Sequence, residues 1–125
     1  MEEQLAQRIR MFQETGQVRA EVAEFVTTEL ETLAATGHAV SEATAGMLTS
    51  HLMMALNRLL DGAPIEDFPT DEHVAQELAD HPEAVAQARA VASRAERRLG
   101  ASLPISEINF MALHLAVLAH RPTTG

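Results

Sequence analysis

The chain has 125 residues, a formal charge of −9, and no cysteine, tyrosine or tryptophan; it is long enough for one domain with a proper core and cannot be stapled by disulfides. All nine basic residues are arginine, which excludes a Schiff-base or P-loop lysine, and the acidic balance argues against nucleic-acid binding by this chain alone. The opening MEEQLAQRIRMF lacks an apolar signal core and no later run is long enough for a membrane helix, so the expectation is a soluble, cytoplasmic protein, and the abundance of alanine and leucine makes it an all-α bundle.

In chain order, residues 2–13 carry Leu5, Ile9 and Phe12 at helical spacing and predict a short leading helix ending near Thr15-Gly16. A longer amphipathic segment over about 18–36 follows, with a stripe of Val18, Val22, Phe25, Val26, Leu30 and Leu33 and Gly37 as its stop. Ser41 is the expected N-cap of the next helix, Glu42 favours its first turn, and the helix should close at Asp61-Gly62. Ala63–Pro69 reads as a loop. Thr70 caps a brief helix carrying Val74 and Leu78 that stops near Asp80. Asp80-His81-Pro82-Glu83 has the form of a capping box, with Asp80 as N-cap and Glu83 at N3. The helix it opens has a narrow stripe of Val85, Ala88, Ala92, Ala95 and Leu99 and ends at Gly100. Pro104 to Ser106 opens the last helix, and RPTTG is a frayed tail. The sum is five main helices after a short leading one, with no strand pattern or internal repeat.

Two of these helices carry the chemistry. From Ile108 to Ala119 only Asn109 and His114 are polar, so this helix belongs at the centre of the domain or between two protomers. The helix from Ser41 has one apolar stripe of Leu48, Leu52, Ala55, Leu56 and Leu59. A second stripe, of Met47, His51, Met54 and Arg58, runs beside it. Two stripes of this kind usually serve a core and an interface together.

Three elements now stand in order: His51-Leu52 with Arg58-Leu59 two turns on, Leu103-Pro104 with Glu107 three residues after the proline, and an apolar helix containing Ala112-Leu113-His114-Leu115. In this order and spacing the chain resembles the PTS regulation domain (PRD), a regulatory module of the bacterial phosphotransferase system, over about residues 8–119. The resemblance implies a five-helix bundle of two antiparallel pairs, the first main helix with the fourth and the second with the fifth, crossed by the short third. It implies a homodimer that is phosphorylated on histidine by the phosphocarrier protein HPr or by the B component of a sugar permease. Carried over, the phosphoacceptors are His51 and His114. Antiterminator-type members often have Asp before the first histidine and Asn three residues after the second, where this chain has Ser50 and Val117. A free-standing PRD would reach transcription through a separate regulator; no cofactor or metal is called for.

The residues suit that chemistry. A neutral imidazole is a good nucleophile near neutral pH, and a phosphoryl group would bring nearly two negative charges to a face otherwise made of methionine. Arg58 lies seven residues on from His51, roughly 10 Å along the axis. Its side chain leans back toward the amino end, and its fork suits phosphate, so it is the phosphate-stabilising candidate. Against this stand blander readings: His51 and His114 as satisfied core histidines, and Met47, Met53 and Met54 as adaptable packing. His73 with Glu77 has a helical metal-pair spacing but no third ligand. Two other functions remain open at this point: an adaptor that dimerises without phosphorylation, and a metal-dependent enzyme using His51, His114 and a carboxylate.

Overall fold

The computed structural model describes residues 1–63 and 72–120, with the backbone alone at Glu72 and His120. Six helices make up the described residues: α1 Glu3–Glu14, α2 Ala20–Ala35, α3 Glu42–Leu60, α4 Glu72–Ala79, α5 Pro82–Leu99 and α6 Ile105–His120. No strand occurs among them. Thr70, Pro69 and the tail from Arg121 lie outside the described residues, as does most of the Ala63–Pro69 stretch.

The helix ends follow local chemistry. Glu2 caps α1 by accepting from the Leu5 amide at 3.1 Å. At α3 a reciprocal box forms: the Ser41 hydroxyl accepts from the Thr44 amide, and the Ser41 amide donates to the Thr44 hydroxyl at 2.9 Å. Gly100 closes α5 at φ +73°, the left-handed conformation that glycine adopts without the penalty of a Cβ.

The start of α5 departs from expectation. Its N-cap is His81, not Asp80, and it makes no side-chain cap hydrogen bond. Pro82 explains the shift: its fixed φ and missing N–H suit the first helical position, which makes the residue before it the cap. Asp80 therefore stands one place too early. The buried stripe of α5 is likewise Ala84, Ala88, Val91 and Ala95, turned slightly from the expected set. Ala88 and Ala95 belong to both, whereas Val85, Ala92 and Leu99 are only half-buried.

The core is assembled from all six helices. Leu5, Met53, Leu56, Leu115 and Leu118 are fully buried, each stabilising the fold by about 1.5–3 kcal/mol. α1 packs on both α2 and α3, α2 also meets α5, and α3 meets α6, but the most extensive contact joins α5 and α6. Two ionic clasps tie distant segments. Arg94 of α5 donates twice to the carboxylate of Glu29 on α2, both at 2.7 Å, and the Glu29 side chain is only 8 % exposed. Arg8 of α1 pairs with Glu42 and donates to the Ser50 hydroxyl at 2.8 Å. Gly46 allows that approach, since a Cβ there would sit 3.0 Å from a Glu42 oxygen and 3.1 Å from the Arg8 guanidinium.

α6 is not sealed on all sides. Met111, Ala112, Leu115, Ala116 and Leu118 are buried, whereas Ile105 and Val117 are each 53 % exposed. α3 is divided in the same way. Leu48, Leu52, Ala55 and Leu56 face the core, with Met53 beside them, while Met47 and Met54 are exposed. The expected methionine stripe thus splits, because Met53 is one step round the helix from Met54.

Candidate functional site

The outward sides of α3 and α6 meet at three rings. His51 of α3 lies against Phe110 of α6, with ring centroids 4.2 Å apart and an interplanar angle of 30°. On the same helix, Phe110 lies against His114 at 4.5 Å and 44°. The spacing of Phe110 and His114 is i,i+4, which sets them one above the other on a helix face. The order in space is therefore His51, Phe110, His114.

One carboxylate completes the cluster. Glu107 is the third residue of α6, where the positive end of the helix favours a negative charge. Its side chain is 8 % exposed, and its Oε2 lies 2.5 Å from Nε2 of His51, whose own side chain is 39 % exposed. The carboxylate thus fixes one nitrogen of a ring that solvent still reaches. His114 is half-buried. Burial holds its pKa below the ordinary histidine value, and the nearby His51 adds to the depression. Both effects favour the uncharged imidazole, the form with a lone pair to offer.

A family model for the PRD domain matches residues 34–118. The chain belongs to the PRD family. Its members are regulatory domains of the phosphotransferase system, and both histidines of this PRD, with Glu107 and Phe110, fall inside the matched segment. The match is narrower than the resemblance over residues 8–119, and it leaves α1 and most of α2 outside. No curated protein and no solved structure matches the chain.

Of the residues singled out from sequence, His51 and His114 share this cluster through Phe110. Arg58 stands on the exposed side of α3, two turns beyond His51, and has an interaction of its own. The remaining histidines lie elsewhere. Glu77 Oε1 is 3.5 Å from His81 Nε2 at i,i+4 spacing, and His38 Nδ1 is 3.2 Å from the Thr36 hydroxyl. Among the described residues no group of three His, Cys, Asp or Glu side chains is placed to hold a metal ion. Among them, too, no helix is long and apolar enough to cross a membrane.

Sequence reasoning did not give Glu107 or Phe110 a role in the site. Glu107 enters there only as part of the Leu103-Pro104 motif. Phe110 was one apolar residue among many in α6. The available signal was its spacing, four residues before His114 and three after Glu107.

Proposed function

We propose that this PRD is a phosphorylation-controlled regulatory domain. His51 and His114 accept a phosphoryl group from HPr or from a sugar permease B component. Arg58 is the candidate to stabilise the phosphate on the α3 side. The added charge alters packing in a homodimer, and a separate transcription regulator of sugar-uptake genes reads the change.

The observation that carries this reading is the His51–Phe110–His114 stack on a partly exposed surface. Met47, Met54 and Val117, at 72, 49 and 53 % exposure, lie on the same two helices. Apolar side chains left in water next to a reactive imidazole suit a surface that docks another protein and is disturbed by a dianion.

The test is incubation of the purified chain with phosphoenolpyruvate, enzyme I and HPr, followed by intact-mass measurement under alkaline conditions that preserve phosphohistidine. The expected result is a gain of one or two phosphoryl masses, reduced in His51→Ala and in His114→Ala. No gain with HPr or with a permease B component would refute the proposal.

The exposed Met47, Met54 and Val117 also favour a second reading, an adaptor that dimerises through this face without phosphorylation. Sedimentation of the chain before and after phosphoryl transfer separates the two. A dimer in both states with no phosphate taken up supports the adaptor.

A further inference from the structure

Resting on the phosphoacceptor reading of His51, we infer that this histidine reacts through Nδ1, with Glu107 as the positioning residue that holds Nε2. The 2.5 Å contact between Nε2 and Glu107 Oε2 requires a proton between them. A neutral imidazole with its proton on Nε2 carries its nucleophilic lone pair on Nδ1. Nothing among the described residues is seen to bond Nδ1, and it is not one of the buried polar atoms left without a partner. Phe110, 4.2 Å away, limits reorientation of the ring.

The alternative nitrogen meets a barrier. A phosphoryl group on Nε2 would set a dianion against a carboxylate that is only 8 % exposed, and Glu107 would have to leave its place in the first turn of α6. Attack from Nδ1 leaves the buried contact intact. In the transfer step the Nδ1 lone pair forms the new N–P bond. The N–P bond of the donor's phosphohistidine breaks, and its electron pair returns to the donor imidazole. The Nε2 proton stays between His51 and Glu107, and the carboxylate offsets the positive charge of the phosphorylated ring. One PO3 group moves and no other reactant is needed.

Two measurements on the full chain test this. Long-range 1H–15N NMR at pH 7.5 should show His51 as the Nε2–H tautomer; an Nδ1–H tautomer overturns the inference. Phosphorylation by HPr and, separately, by potassium phosphoramidate should give Nδ1-phosphohistidine at position 51, read by 15N–31P coupling. Nε2-phosphohistidine in the wild-type chain overturns it. Glu107→Gln, checked for folding by circular dichroism, should slow transfer by about tenfold and let some Nε2 product form; an unchanged rate and isomer counts against the role of Glu107. Nδ1 product from phosphoramidate but none from the protein donors would refute the functional reading while supporting the choice of nitrogen. No phosphate on His51 from any source overturns both.

Discussion

His51→Ala is the standard way to remove a phosphoacceptor, and in this chain it has a structural cost. It deletes the ring that meets Phe110, a pairing worth about 0.5–1.5 kcal/mol beyond simple area burial. It also leaves the Glu107 carboxylate, 8 % exposed, without the group that meets it at 2.5 Å. An abandoned buried acceptor costs about 1–3 kcal/mol. Because the His51 side chain is 39 % exposed, water enters the vacated space and the lower half of the range applies, about 2 kcal/mol in all. With an unfolding entropy of about 2.1 cal/mol/K per residue, that lowers the midpoint of a chain this size by about 8 °C. The assay is urea or thermal unfolding by far-UV circular dichroism, since there is no tryptophan or tyrosine to report by fluorescence. Protein concentration must be held fixed in case subunits associate. Adding Glu107→Leu to His51→Ala should recover about 1 kcal/mol by removing the stranded charge. A His51→Ala variant within about 0.5 kcal/mol of wild type, or a double variant no better than the single, would refute the account of Glu107.

Arg94→Ala removes both donors from buried Glu29 and should destabilise by about 3 kcal/mol, the low end of the range for a broken buried pair because the Arg94 side chain is 32 % exposed; Glu29→Met with Arg94→Met should be milder, as denaturation curves will show. His114 should titrate below the ordinary histidine midpoint in an NMR pH series, because burial opposes its charged form. The unfolded chain then binds more protons as pH falls below about 6.5, so this residue's contribution to stability is full above that pH and lost as pH drops toward the folded pKa. His51→Ala should move that midpoint up, since His51 is the second cause of the depression. Gly100→Ala should cost about 1 kcal/mol in thermal unfolding through the φ of +73° alone, because nothing lies within 4 Å of an added Cβ.

The helices were legible because their signals are local. Ser41 before Glu42, Gly100 after Leu99 and the Leu48–Leu52–Leu56 stripe all act within two turns of chain. One boundary and one stripe differ from expectation, both in α5. At α5 an acid before a proline looked like a cap, but the proline's preference for the first helical position outweighed it. In the alanine-rich stripe of the same helix, adjacent positions differ so little in size that spacing hardly favours one register over the next.

The site divided along the same line. His51 and His114 could be picked out as polar residues on otherwise apolar helix faces. That Glu107 would meet His51 could not, because the two lie 56 positions apart and helical periodicity says nothing about which turn of α6 crosses which turn of α3. The role of Ser50 was equally hidden. Directly before His51, Ser50 accepts from Arg8, a partner supplied by α1, outside the segment that the family model covers.

Phe110 touches both imidazoles, so each histidine rests on a neighbour that the other also supports. Replacing either one loosens the phenylalanine and so alters the setting of the one that remains. The effects of the two substitutions will therefore not add, and a double variant is expected to fall nearer the worse single than their total. Genetic experiments that score one histidine at a time would credit the two together with more than the pair carries.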